Sequence, residues 1–298
     1  MAISFNWIFS LIAGVLIFIF LVYFAVQNTD LFGNVTSKVV SQELDILFSG
    51  IETTKTKTTL DFSKEVELRF SCNNGDQKLG VNGKSGSNLH GKAIFSPNII
   101  DSNFVNIATE SWNVPFRVAN VIYVWKNKYN LMGTVPDINI FQDLKGEGEK
   151  VIFRYFTESV DDCTGTGNLK TIVYDYNSEL DDYQGYVCFN GDKSNPINFY
   201  GKAMMIGAVF SSSEENFNCV QNGMEKRLEI MNSVYQKKSN KMKASILDNN
   251  NCKPQIGGNS GYDDARYTSN LQSINFESVK RFQDINDNLV RGGCVGIF

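Results

Sequence analysis

Histidine is almost absent from this chain, and its scarcity removes several kinds of chemistry. The 298 residues include one histidine, His90, and five prolines. A Ser/His/Asp triad would have to use His90, and a metal site built from several histidines is impossible. The cysteines form no C-x-x-C pair or other zinc-ligand spacing. We therefore expect no metal site and no bound cofactor.

An excess of positive charge is also missing. The net charge is −4 at pH 7, and the isoelectric point is about 5.2. Since nucleic-acid binding depends on neutralising phosphates, we expect no nucleic-acid partner. Hydrophobic residues make up 42% of the chain and charged residues 20%, which is typical of a globular protein with a core.

Charged side chains are absent from residues 1–26, and residues 8–26 form one apolar run. As a helix this run would span roughly 28 Å, close to the hydrocarbon thickness of a bilayer. We therefore predict a transmembrane anchor that contacts the lipid bilayer through residues 5–26. A cleaved signal peptide is the competing interpretation. It fits less well, because no basic residue precedes the run and Tyr23 stands where a cleavage site needs a small residue.

The cysteines all follow this segment and indicate its orientation. The candidates for disulfides are Cys72, Cys163, Cys188, Cys219, Cys252 and Cys294. An even number of dispersed cysteines is typical of disulfides formed in an oxidising compartment. The alternative is six reduced, buried thiols that face a cytoplasm. We favour disulfides, and so predict a single-pass protein of the cell membrane with a cytoplasmic N-terminus and its domain outside.

These features divide the chain into three predicted parts. Residues 1–27 are the transmembrane anchor, and residues 28–60 a juxtamembrane helix and stalk. Residues 61–298 form an extracytoplasmic domain with a possible subdivision near residue 145. The predicted fold class is α+β: one N-terminal transmembrane helix, then a largely antiparallel sheet domain that ends in two long packed helices.

Alternating polar and apolar residues and β-prone composition predict most of the strands. The predicted strands are residues 65–70, 118–124, 150–156, 169–176, 183–189 and 199–210. Residues 80–91 contain four glycines and are predicted to form a loop. The predicted strands after residue 150 are joined by short connections, the first of which contains turn residues at 164–168. Short connections favour hairpins, so we predict an antiparallel meander.

Two helices are predicted towards the end of the chain, over residues 215–242 and 269–290, where apolar residues recur every three or four positions. Ser269 and Gln272 suit a capping box at the start of the second helix. Glycines after Arg291 suit its end.

Antiparallel packing of these helices would place Cys219 beside Cys294, and we predict a disulfide between them. The alternative pairing joins Cys219 to Cys252 and Cys294 to Cys72.

Three acidic pairs in predicted loops are the candidates for cation binding or acid–base chemistry. They are Asp161-Asp162, Asp181-Asp182 and Asp263-Asp264. Adjacent aspartates in turns are usually solvated loop residues, and none of the pairs has the EF-hand spacing. His90 is interpreted as a surface residue and the basic segment 236–243 as a solvated helix end. We assign no catalytic, cofactor-binding or metal-binding residue.

Three short motifs carry a resemblance to a group of proteins. They are Phe5-Asn6-Trp7-Ile8-Phe9, Gly207-Ala208-Val209-Phe210-Ser211 and Gly293-Cys294-x-x-Ile297. In these motifs the chain resembles uncharacterised single-pass membrane-anchored proteins of small-genome archaea. The resemblance implies an archaeal cell-envelope setting, and it implies no activity, cofactor or catalytic residue.

The first functional hypothesis is a membrane-anchored extracytoplasmic binding or envelope-assembly protein without catalytic activity. Its partner would be an unknown protein or envelope component. The alternative is an extracytoplasmic hydrolase that uses loop carboxylates. A pilin-like filament subunit fits less well, because residues 1–4 include no basic residue and the apolar helix has no glutamate.

Overall fold

The structure is a computed structural model that describes residues 39–133, 144–155, 169–245 and 274–298, together with Ile17, Ser37, Phe141, Cys163 and Cys252. These residues form four helices: α1 (39–51), α2 (Lys202–Phe210), α3 (Glu214–Ser245) and α4 (Phe276–Arg291). They also form eleven strands: β1 (Lys57–Asn73), β2 (Asp76–Val81), β3 (Lys84–Asn88), β4 (Ala93–Phe95), β5 (Ile99–Asn113), β6 (Arg117–Trp125), β7 (Tyr129–Met132), β8 (Lys145–Tyr155), β9 (Leu169–Asn177), β10 (Asp182–Phe189) and β11 (Ile197–Tyr200).

The first sheet has six strands in the order β3-β2-β1-β5-β6-β4. All of its pairs are antiparallel except β4 with β6. The loop predicted over residues 80–91 is wrong, because β2 and β3 form a hairpin there. Asn82 and Gly83 both adopt positive φ, at 51° and 69°, which is the backbone that a two-residue hairpin turn requires.

The second sheet has five strands in the order β11-β10-β9-β8-β7. The antiparallel pairs β9–β10 and β10–β11 confirm two of the predicted hairpins. The predicted hairpin between β8 and β9 is wrong, because these strands run parallel, as do β7 and β8. Residues 156–168 separate β8 from β9, and a link of that length suffices for a parallel crossover. Both sheets are therefore mixed within an α+β fold.

Helix α2 occupies residues 202–210 of the strand predicted over residues 199–210. Gly201 ends β11 with a φ of +95°, and every residue of α2 after Lys202 is buried. A continuous apolar run shows no periodicity that separates a buried strand from a buried helix, which is why the prediction was wrong here. The flexible side chains of Met204 and Met205 suit a helix that is buried on every face.

One core joins both sheets to α2. Alternation along β6 separates two apolar layers: Val121 and Tyr123 belong to the core shared with α2 and the second sheet, whereas Ile122 belongs to the opposite face. On that opposite face, α1 buries Leu44 and Phe48. The layers therefore run from α1 to the first sheet, then to α2 with α3, and then to the second sheet.

Helices α3 and α4 are both long, at 32 and 16 residues. The observed cap of α4 is Asn275, whose side chain accepts from the backbone N–H of Ser278. Ser269 and Gln272, predicted as its capping box, lie outside the described residues. The predicted end is confirmed, since α4 stops at Arg291 and Gly293 has a φ of +76°.

The six cysteines form the disulfides Cys72–Cys219, Cys163–Cys188 and Cys252–Cys294. The predicted Cys219–Cys294 bond is therefore wrong, and so is its stated alternative. Lys238 explains why: its ammonium donates to the carbonyl oxygen of Ile297 at 2.7 Å, so residues beyond α4 contact the second half of α3. Cys219, in the first turns of α3, lies instead beside the end of β1. Three disulfides fit an oxidising, extracytoplasmic environment.

The predicted anchor lies outside the described residues apart from Ile17. Within the part of the chain that the structure describes, no helix is both long enough and apolar enough to cross a bilayer.

Candidate functional site

Of the three acidic pairs, only Asp181-Asp182 lies among the described residues. His90 is exposed in a turn after β3. Within the described ranges, no group of three or more histidine, cysteine, aspartate or glutamate residues is placed to hold a metal ion. Of the predicted candidates, the pair Asp181-Asp182 is therefore the one that the structure places in a cavity.

A polar cavity of about 350 Å³ lies where the end of β5 meets the start of β10 and the junction of β11 with α2, with α4 alongside. We call it the Asp182 cleft. Its lining includes Lys55, Glu110, Trp112, Asp182, Tyr200, Lys202 and Gln283. The volume falls in the range of about 300–1,000 Å³ that small-molecule sites occupy.

Asp182 lies partly buried at the first residue of β10. Its Oδ1 accepts from the backbone N–H of Tyr183 at 2.9 Å and from that of Lys202 at 2.7 Å. Burial raises the pKa of the Asp182 carboxyl to about 6, although these hydrogen bonds and the Lys202 ammonium offset part of the effect. The carboxylate thus serves the first N–H of α2, whose N-cap residue Gly201 has no side chain to do so.

Tyr200 is fully buried at the wall of the cleft. Its backbone carbonyl accepts from the indole N–H of Trp112 at 2.8 Å. Among the described residues its hydroxyl has no hydrogen-bond partner. Burial, and then the nearby Asp182 carboxylate, raises the pKa of the Tyr200 phenol. Buried hydroxyls without a partner are uncommon, and among the described residues Ser96 and Thr171 also carry such a hydroxyl.

The mouth of the cleft carries an ion pair between Lys55 and Glu110, at 2.9 Å. The lysine side chain is 70% exposed and the glutamate 17%, so the pair closes the edge of the cleft without being part of the core. Lys202 and Gln283 are half-buried. The cleft therefore presents carboxylates, ammonium groups and an amide to whatever enters it.

Comparison with protein-family models, with curated proteins and with solved structures finds no match to this chain. The cleft is therefore interpreted from its own chemistry.

A second cluster of buried charge lies at the other end of α2. Lys170 is fully buried on β9; its ammonium donates to the carbonyl oxygens of Val209 and Ser211, and lies 3.4 Å from Glu149. Burial lowers the pKa of Lys170 to about 8, against the opposing effect of Glu149. Because the lysine is occupied by the last carbonyls of α2, we interpret this cluster as a helix C-cap rather than a site.

Sequence reasoning singled out Asp182 but missed its companions. Glu110 comes from β5, Tyr200 and Lys202 come from the junction of β11 with α2, and no local motif links these two segments to Asp182. The basic segment 236–243 has a structural use that was also missed, since its Lys238 binds carbonyl oxygens of Gly296 and Ile297.

Proposed function

We propose that this protein is an extracytoplasmic binding protein without catalytic activity that takes a small, hydroxyl-rich ligand, such as a sugar residue, in the Asp182 cleft. The observation that carries the proposal is the mixture of groups in that cleft. Acceptors on Asp182 and Glu110 stand in one cavity with donors on Lys202 and Lys55.

Hydroxyl groups suit such a mixture because each one both donates and accepts a hydrogen bond. A purely anionic ligand would meet the two carboxylates, and a purely cationic one the two ammonium groups. A ligand with several hydroxyls can donate to Asp182 and accept from Lys202 at once. The Oδ2 atom of Asp182 is suited to accept from a ligand hydroxyl, because the backbone N–H groups of Tyr183 and Lys202 both donate to Oδ1.

The cellular setting is part of the proposal. Residues 5–26 would anchor the protein in a lipid bilayer, with the N-terminus in the cytoplasm and the domain outside, in the archaeal envelope that the sequence resemblance implies. The three disulfides support the outside location. Protease added to intact cells should digest the domain. Digestion only after permeabilisation would overturn this orientation.

Calorimetric titration tests the binding. The probes are the methyl glycosides of glucose, galactose, mannose and N-acetylglucosamine. At least one should bind saturably, and Lys202→Met should weaken it about tenfold or more, since charge-assisted hydrogen bonds contribute about 1.5–3 kcal/mol. Lys241→Met removes an exposed lysine of α3 that is not part of the cleft lining and should leave the affinity unchanged. Equal affinities in the two variants, or no binding of any probe, would overturn the proposal.

A hydrolase is the second candidate, favoured by one observation. Asp182 has a pKa of about 6, a value suited to a general acid near neutral pH, and Glu110 shares its cleft. Nitrophenyl glycosides of the same four sugars test it. Steady release of nitrophenol that Asp182→Asn abolishes would establish the hydrolase and overturn a binding protein without activity.

A further inference from the structure

A second cavity, of about 270 Å³, opens beside the Asp182 cleft and differs from it in chemistry. We call it the aromatic recess, after its lining residues Tyr123, Trp125, Phe141 and Phe210. The ring of Phe210 lies 5.4 Å from that of Tyr123 and 4.8 Å from that of Trp125. Ala108 and Ile206 complete the apolar wall.

Most of the polar groups in the lining of the recess are already paired: Lys55 with Glu110, and the hydroxyl of Thr109 with the carbonyl oxygen of Thr54 and the backbone N–H of Thr56. The hydroxyl of Tyr123 already donates to the carbonyl oxygen of Ala203 at 2.8 Å and is fully buried. Trp125 is also buried, at 5% exposure. Burying an apolar group against such walls gains free energy, because it removes apolar surface from water. Its size suits one aromatic ring or a short alkyl chain.

Lys55 and Glu110 belong to the linings of both cavities. Their ion pair is thus the boundary between the polar cleft on one side and the aromatic recess on the other. An ion pair that is largely exposed at its lysine end contributes little to stability, so a ligand can displace it or lie across it at small cost. One molecule can therefore occupy both cavities.

We propose that the ligand is a glycoside with an apolar arm: its sugar occupies the Asp182 cleft, and an alkyl or aryl group attached to that sugar fills the aromatic recess. This inference rests on the proposed function, because it assumes that the cleft takes the sugar. It adds a ligand class, since glycolipids and aryl glycosides both join a sugar to an apolar group.

The test compares methyl, phenyl and octyl glycosides of whichever sugar the cleft binds. The phenyl or octyl glycoside should bind at least tenfold more tightly than the methyl glycoside. A tighter octyl glycoside assigns a lipid-type ligand, and a tighter phenyl glycoside an aryl one. Ala108→Phe should fill the recess and return both to the methyl value. Thr59→Phe, an exposed position on the adjacent strand β1, is the matched control and should change nothing.

A second measurement needs no substitution in the recess. The chain has three tryptophans, of which Trp112 lines the cleft and Trp125 the recess. In protein labelled with 5-fluorotryptophan, the methyl glycoside should shift the fluorine resonance of Trp112 alone, and the phenyl glycoside those of Trp112 and Trp125. If the methyl glycoside binds but the longer ones bind no better and leave Trp125 unmoved, the apolar arm is wrong and the sugar site stands. If no glycoside shifts either resonance, the proposed function fails, and this inference fails with it.

Discussion

At the residue scale, two charged side chains from the second sheet, the partly buried Asp182 and the buried Lys170, hold the ends of α2. Asp182 accepts from the N–H of Lys202 at its start, and Lys170 donates to the carbonyl oxygens of Val209 and Ser211 at its end. The helix itself has no acidic residue in its first turn and no basic residue in its last. The neighbouring strands therefore supply the charges that the helix dipole favours.

Asp182→Asn should change how stability depends on pH. The pKa of the carboxyl is raised to about 6 in the folded protein, against about 3.9 in an unfolded chain. The folded state therefore binds the proton more tightly, and the wild type loses stability as pH rises from about 4 to about 6. Asparagine keeps the Oδ1 acceptor without the charge. Relative to the wild type, the variant should gain on the order of 2 kcal/mol between pH 4 and 7, allowing for partial exposure.

Urea unfolding at several pH values measures this difference. The matched comparison is the wild type, unfolded under the same conditions at each pH value. A difference between Asp182→Asn and the wild type that stays constant with pH would contradict the account of Asp182.

Lys170→Met should destabilise the domain by about 3 kcal/mol, because it leaves Glu149 and two carbonyl oxygens without their cation. The exposed Lys150→Met on β8 is the control and should cost less than about 0.5 kcal/mol. Adding Glu149→Gln to Lys170→Met should recover part of the loss, since it removes the stranded charge. A Lys170→Met variant as stable as the wild type in urea unfolding would show that the lysine does not hold α2.

At the element scale, strands, helix ends and hairpins with strong local signals were accessible from the sequence, including the buried strands β6 and β9, whereas the buried helix α2 was not. The end of α4 and two hairpins of the second sheet follow from glycines, periodicity and short links. Helix α2 was missed because an all-apolar run lacks the polar face by which a helix is recognised in a sequence. Asn82-Gly83 is a dipeptide that favours a hairpin turn. The four glycines in residues 80–91 led instead to the prediction of a loop.

Gly201 separates β11 from α2, a boundary that the sequence pattern did not predict. A Cβ at this position would lie 2.8 Å from the Trp112 ring, and its φ of +95° disfavours any side chain. Gly201→Ala should therefore cost more than about 1 kcal/mol of unfolding free energy. Gly50→Ala places the same methyl group in α1, where nothing lies within 4 Å, and should stabilise slightly. Thermal unfolding compares the two, and equal midpoints would contradict the packing described around Trp112.

At the scale of the whole molecule, the number of cysteines indicated disulfides. Which cysteines pair depends on the chain topology, and local sequence patterns do not predict that topology. Cys72 and Cys219 are 147 residues apart, and only the contact of β1 with α3 brings them together. In the same way the Asp182 cleft needs both sheets and α4. Of its residues, sequence reasoning singled out only the pair Asp181-Asp182.

Replacing Cys72 and Cys219 together with serine should cost more stability than replacing Cys163 and Cys188. The first bond closes a loop of 147 residues and the second one of 25, and the chain-entropy model gives about 5 and about 3.5 kcal/mol. Peptide mapping of the unreduced protein checks the pairing directly. A peptide that joins Cys219 to Cys252 or Cys294 would contradict the fold described here.

The central claim, that the Asp182 carboxylate accepts hydroxyl groups of a bound ligand, is tested most directly by the pH dependence of binding. An ionised carboxylate is a better acceptor than a protonated one. Calorimetric affinity for the methyl glycoside that binds should therefore rise from pH 4 to pH 8 with a midpoint near the pKa of about 6. In Asp182→Asn it should be lower at pH 8 and flat with pH. A wild-type affinity that does not change over this range would contradict the claim.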